Sequence, residues 1–198
     1  MKARTLTPFE LFGNEVRYVV PLFQRPYVWD QERQWEPLWD DVRVLAEQLE
    51  EPGADHSSQE GPSHFLGAIV LDQAHTPSGG FLMSRSVIDG QQRLTTLQLL
   101  LDAAAWVVQH NGHTQDPAIL RKLVMNDLTV QVHPDDRFKV WPTNQDRDAF
   151  RAVMDDDADV SAEQASARIA EAHRYFCEVM TEWCEPTGDP DKRAARLH

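Results

Sequence analysis

The segment DGQQR, which begins at Asp89, combines several residue types that can handle phosphate groups. The Asp89 carboxylate can bind Mg²⁺ or hold an arginine, and Gly90 lets the main chain turn sharply. Gln91 and Gln92 can both donate and accept hydrogen bonds, so either can read a base or orient a water molecule. Arg93 presents a planar fork that matches two phosphate oxygens. Together these residue types favour phosphate chemistry.

The pattern around this segment predicts that it lies between a strand and a helix. FLMSRSVID precedes it and is typical of a strand, whereas Leu94, Leu97 and Leu101 follow with the spacing of one helix face. The first amides of such a helix have no partner within it, and with the helix dipole they attract an anion. Thr95, in the first turns, can cap the helix or contact a ligand. The alternative is a purely structural junction, in which Asp89 caps the helix.

Two common nucleotide-binding motifs are missing from the sequence. It contains neither the GxxxxGK[ST] phosphate loop nor the GxGxxG dinucleotide motif. Any nucleotide site at the DGQQR segment must therefore be of a different kind.

A second unusual segment is VPLFQRPYVWDQERQW, residues 20–35. Its aromatic side chains surround a glutamine and an arginine, and they are Phe23, Tyr27, Trp29 and Trp35 around Gln24 and Arg25. Aromatic rings beside an arginine can form a pocket for a base or an anion. The alternative is that these rings are ordinary core residues near a proline-containing turn. His64 precedes another predicted strand and is a further candidate for the site.

Composition limits the classes of function. The 198-residue chain has a net charge of −13, which excludes a broad basic face but allows a small contact with one phosphate group. Cys177 and Cys184 would lie roughly 10 Å apart along a helix, too far for a disulfide, so reduced cysteines and a cytoplasmic location are expected. No stretch approaches the roughly 20 apolar residues of a membrane span, so no membrane partner is expected.

The predicted fold class is α+β, with a small mixed sheet flanked by helices. Strands are predicted near residues 16–20, 65–72, 81–89 and 137–141, and helices near 5–14, 31–50, 90–110, 117–127, 144–154 and 161–184. Thr7, Asn144 and Ser161 are the predicted caps of three of these helices. The polar stretch 51–63 predicts a flexible loop.

Several segments occur together in a specific order, and they are VPLFQRPYVW, W-x3-W-x-D, HFLGAIVL, VIDGQQRLTTL and RFKVWPTNQDRDAF. In this combination they resemble the N-terminal domain of GmrSD-type (type IV) restriction proteins, most closely the SspE-like anti-phage proteins that sense phosphorothioate DNA. The resemblance implies a ParB/sulfiredoxin-like core in residues 1–155. It also implies a helical extension and linker in 156–198, leading to a C-terminal HNH-type nuclease domain that this sequence lacks.

In that family the DGQQR element is the nucleotide-hydrolysis motif. The resemblance therefore implies an NTPase, preferring GTP but accepting other NTPs, with Mg²⁺ as the expected cofactor. The implied catalytic residues are Asp89, Gln91, Gln92 and Arg93, with Asp89 as the candidate Mg²⁺ ligand. The candidate nucleotide-binding residues are Gly90, Thr95 and His64.

The QRPYVW region is implicated in sensing phosphorothioate in the SspE-like proteins. Here the corresponding residues are Phe23, Gln24, Arg25, Pro26, Tyr27 and Trp29. Relatives often carry tyrosine in place of Phe23. The expected partners are therefore modified DNA, a nucleotide and the C-terminal nuclease domain, with a homo-oligomer left open. The alternative is a regulatory module that binds nucleotide or DNA without hydrolysis, and a core that itself nicks DNA is a third hypothesis.

Overall fold

The computed structural model describes residues 3–50, 64–73, 82–110, 117–127, 129, 133–155, 161, 164 and 166–184. The strands are β1 (Val16–Val19), β2 (Val70–Gln73), β3 (Met83–Asp89) and β4 (Val140–Trp141). The helices are α1 (Pro8–Phe12), α2 (Glu36–Glu50), α3 (Gln91–His110), α4 (Ala118–Val124), α5 (Arg147–Met154) and α6 (Arg168–Cys184). A π-helical turn, Gln31–Trp35, leads into α2, and a 3₁₀ turn, Pro134–Arg137, precedes β4.

One mixed sheet in the order β2-β3-β1-β4 confirms the predicted α+β class. Strand β1 pairs in parallel with β3 and β4, and β2 pairs antiparallel with β3. Helix α3 leaves the carboxyl end of β3 and packs on the sheet, where Leu94 and Leu97 meet Val16, Tyr18 and Val87. This packing fixes the strand-to-helix junction at the edge of a buried core. The predicted loop at 51–63 lies outside the described residues.

Helix α3 also forms the centre of a second core with α6. Small residues such as Ala103 and Ala104 on α3 join Ile169, Phe176 and Met180 on α6 in one buried cluster. Ser161 and Gln164 exchange the hydrogen bonds of the predicted capping box, but α6 begins at Arg168 and not at Ser161 as predicted. Within the described parts of the chain, no helix combines the length and apolarity that crossing a membrane demands.

Of the three predicted helix caps, Thr7 is confirmed, Ser161 forms its box ahead of α6 and not at its first turn, and Asn144 is wrong. Thr7 caps α1 in a reciprocal arrangement with Glu10. Asn144 does not cap α5, because the residue before its first turn is Asp146. The Asp146 carboxylate makes no cap bond and instead accepts from the Thr143 hydroxyl and the Tyr27 amide. A tertiary contact has therefore replaced the local cap.

A buried ion pair between α3 and α6 makes the stability of the fold depend on pH. His173 Nε2 lies 3.0 Å from Oδ2 of Asp102, which is 1% exposed, and Arg121 approaches the other oxygen at 3.3 Å. Burial alone lowers the pKa of His173, but hydrogen bonds to Asp102 and Cys177 raise it from 6.5 to about 10. The imidazolium is therefore the stable form in the folded protein at neutral pH.

We expect the contribution of His173 to be complete below pH 6.5 and to be lost as pH rises towards 10. The check is urea unfolding of the wild type and of His173→Gln between these two pH values. The free energy of unfolding of the wild type should fall more steeply than that of the variant, whereas the exposed control His110→Gln should follow the wild type. Parallel curves for the wild type and His173→Gln would contradict the ion pair.

Candidate functional site

The DGQQR segment forms the junction between β3 and α3, as predicted. Gly90 has a φ of +92°, and a Cβ there would lie 3.2 Å from the carbonyl oxygen of Ala68. The Asp89 carboxylate accepts from the Gly90 amide at 2.8 Å. The first helical hydrogen bond runs from Leu94 to Gly90, so among the described residues the amides of 91–93 lack acceptors. This helix end can accept an anion.

Arg93, in the first turn of α3, is held in place by the segment before β2. Its Nη1 donates to the carbonyl oxygen of Ala68 at 2.7 Å, and its guanidinium carbon lies 5.9 Å from the centre of the Trp29 ring. Gly67, with a φ of +99°, lies directly against the guanidinium, since a Cβ there would approach its central carbon to 2.5 Å. Sequence reasoning missed Gly67, although the glycine within HFLGAIVL could have indicated a close approach.

The QRPYVW segment lies against α3, which brings the two unusual segments together. The amide of Gln92 accepts from the Val28 amide at 2.8 Å and donates to the Pro26 carbonyl at 2.9 Å. The Gln24 side chain donates to the Ile88 carbonyl at 3.1 Å. Gln91 donates to the Gln24 side-chain oxygen at 3.3 Å, so the two segments also meet through side chains.

Between these elements lies an open cleft of about 490 Å³. Its lining residues are Gln24, Arg25, Trp29, Asp89, Gly90, Gln91, Gln92 and Arg93. The lining contains two arginines and one aspartate, so it is net positive in a chain of net charge −13. Together with the free amides of 91–93, this charge favours an anionic ligand.

Several predicted site residues lie outside this cleft. Tyr27 is 6% exposed, and its hydroxyl bonds to Thr96 at 2.7 Å and to the Trp35 indole at 2.9 Å. Burial raises the pKa of Tyr27 well above its usual value. Phe23 is 84% exposed and does not line the cleft. Of the four aromatic residues predicted to surround Gln24 and Arg25, Trp29 alone lines it.

The remaining candidates, Thr95 and His64, do not line the main cleft. Thr95 lines a smaller adjoining cavity, which shares Arg25 with the main cleft and also contains Asp146. Burial raises the pKa of the Asp146 carboxyl, although its hydrogen bonds act in the opposite direction. His64 Nε2 lies 3.0 Å from a carboxylate oxygen of Asp41 on α2. This contact anchors the segment that carries Gly67.

The cleft can bind Mg²⁺ only if water and substrate phosphates supply most of the metal ligands. No group of three or more His, Cys, Asp or Glu side chains in the described ranges is placed to hold a metal ion. Asp89 supplies one carboxylate, with one oxygen engaged by the Gly90 amide. Mg²⁺ usually keeps several waters and binds one or two carboxylates together with substrate phosphates. The cleft therefore fits Mg²⁺ that accompanies a nucleotide, and not a cage made of protein ligands.

Comparison with known proteins identifies one related family. The model of the family described as GmrSD restriction endonuclease, N-terminal domain, matches residues 9–193. No curated protein sequence matches the chain. The matched range includes the whole cleft and also α6.

Proposed function

The chain belongs to the family of GmrSD restriction endonuclease N-terminal domains, and on that premise we propose that it is an NTPase, preferring GTP, that senses modified DNA. In this proposal it controls a C-terminal HNH-type nuclease domain of an anti-phage restriction protein. The observation that carries the proposal is the convergence of Arg93, Arg25 and the free amides of 91–93 on one cleft. A triphosphate requires such a concentration of donors.

The roles of the cleft residues follow from the demands of phosphoryl transfer. Charge builds up on the phosphate oxygens in the transition state, and Arg93 stabilises it with its planar fork. Gln91 or Gln92 orients the attacking water, since an amide can accept from water while donating to a phosphate oxygen. Asp89 would hold Mg²⁺, which neutralises phosphate charge.

DNA sensing is assigned to the segment that forms the opposite wall of the cleft. A sulfur-bearing phosphate is softer and less strongly hydrated than an ordinary one, although its charge is the same. Discrimination must therefore come from desolvation and from fit against an apolar surface beside a few donors. Trp29 supplies apolar surface in the cleft, and Gln24 and Arg25 supply donors. The exposed ring of Phe23 is free to meet DNA outside the cleft.

The direct test is GTP hydrolysis by the purified protein with phosphorothioate duplex, with matched unmodified duplex and without DNA. We expect turnover in all three reactions and the highest rate with the modified duplex. Nucleotide binding without turnover would favour the alternative, a regulatory module that binds nucleotide or DNA without hydrolysis. That alternative has some support in the single carboxylate that the cleft offers to a metal ion.

Gln24→Ala is expected to lose the preference for phosphorothioate DNA. The substitution removes the amide that bridges the Ile88 carbonyl and the Gln91 side chain, and with it a donor beside Trp29. The measurement is a binding titration against matched modified and unmodified duplexes at two salt concentrations. Gln48→Ala, at an exposed position of α2, is the control. Full preference in Gln24→Ala would mean that the modification is recognised elsewhere.

A further inference from the structure

We propose that Gln92 is a positioning residue that holds the sensing segment 24–29 against α3, and that Gln91 is the glutamine that meets the ligand. The inference rests on the proposed function, because it divides the roles of two adjacent glutamines in the same cleft. It also makes one part of that function testable without any turnover, through hydrogen exchange of the Val28 main-chain amide, which Gln92 binds.

The first support is that both ends of the Gln92 side-chain amide bind main-chain groups of the segment. The side chain accepts from the Val28 amide at 2.8 Å and donates to the Pro26 carbonyl at 2.9 Å. Segment 24–29 has no regular secondary structure, so these main-chain groups have no strand partner in the described sheet. Gln92 therefore pairs with the segment as a neighbouring peptide group would. Both ends of its buried amide are therefore already engaged by the main chain.

The second support is that the same short stretch is held from other directions. The Tyr27 amide donates to Oδ2 of Asp146 at 2.9 Å, and the Tyr27 hydroxyl bonds to Thr96 at 2.7 Å. Residues 26–28 are thus fixed, and the two residues that flank them, Arg25 and Trp29, line the cleft. The positions of both lining side chains consequently depend on Gln92 together with Asp146 and Thr96.

Gln91 is nearly as buried as Gln92, at 9% exposure, but it differs in its hydrogen bonding. Its hydrogen bond to Gln24 joins two side chains, is longer at 3.3 Å, and involves only the nitrogen of the Gln91 amide. A ligand can replace one such bond at small cost, because an incoming acceptor restores it. Replacing Gln92 would instead leave the Val28 amide and the Pro26 carbonyl without partners. The exchangeable glutamine is therefore Gln91.

The test compares Gln92→Met with Gln91→Met. Methionine has nearly the shape of glutamine, so each substitution removes the amide at one of two adjacent positions and little else. Hydrogen exchange of the Val28 amide, followed by NMR, reports on the segment, and steady-state GTP hydrolysis reports on the site. Gln92→Met should speed exchange at Val28 by about tenfold, the effect of losing one net hydrogen bond, and should mainly raise KM. Gln91→Met should leave that exchange unchanged and mainly lower kcat. Gln92→Asn, whose amide is one methylene group shorter and so cannot keep both bonds to Val28 and Pro26, provides a milder variant if Gln92→Met folds poorly.

Two results would overturn the inference. One is wild-type protection of Val28 in both Gln92 variants, and the other is a fall in kcat at constant KM in Gln92→Met. Absence of turnover in the wild type would instead refute the proposed hydrolysis. In that case the exchange rates would still decide whether Gln92 positions the segment.

Discussion

Arg93→Ala is expected to lower kcat for GTP hydrolysis by on the order of 10³-fold or more, the loss seen when an arginine that stabilises phosphoryl-transfer charge is removed. The fold should survive, because Arg93 belongs to neither buried hydrophobic cluster. Arg93 makes a hydrogen bond to the Ala68 carbonyl and a long cation–π contact with Trp29, and each contributes little to the stability of the fold. Activity and stability should therefore separate clearly.

The measurement is single-turnover hydrolysis at saturating nucleotide, with thermal unfolding followed in parallel. Arg174→Ala removes an exposed arginine on α6 and should retain wild-type turnover. Arg93→Lys should recover only a small part of the activity, because a lysine keeps the charge but not the planar fork. A folded Arg93→Ala protein with near-normal turnover would refute the assigned role of Arg93.

Much of the fold follows from local patterns of residue type and apolar spacing in the sequence. The strand-to-helix junction was predictable because a β-rich run, a glycine and a helical apolar pattern follow one another directly. The contact between the QRPYVW and DGQQR segments was not predictable in the same way. The segments meet because Gln92 reaches two main-chain groups of the QRPYVW segment, a contact that spacing alone does not reveal.

The parts that could not be predicted depend on contacts between distant residues. An aromatic ring near an arginine suits a pocket and a core equally well, and Tyr27 proves to be core because Thr96 and Trp35 satisfy its hydroxyl. Asn144 and Asp146 are both residue types that cap helices, yet neither side chain caps α5, and the Asp146 carboxylate binds the amide of Tyr27 instead. In both cases the deciding partner lies far away in the sequence.

Gly67→Ala is expected to reduce hydrolysis by about 10²-fold or more, through a misplaced Arg93 rather than through any lost side chain. A Cβ at Gly67 would lie 2.5 Å from the guanidinium carbon and 2.6 Å from Nε and Nη2 of Arg93. The guanidinium is the end of a flexible side chain, so it can move aside, but its hydrogen bond to the Ala68 carbonyl is then lost. Alanine also strains the backbone at a φ of +99°, at a cost of order 1–3 kcal/mol.

A double-mutant cycle separates these two effects of Gly67→Ala. In the Arg93→Ala background there is no guanidinium to displace, so Gly67→Ala should lower kcat no further, while its cost in unfolding free energy should persist. Ala68→Gly keeps the carbonyl that Arg93 binds and should remain active, which controls for changes in this segment. Additive losses of kcat would show that Gly67 acts independently of Arg93. Non-additive losses would show that a glycine twenty-six residues before Arg93 in the chain sets the position of the arginine on which the chemistry depends.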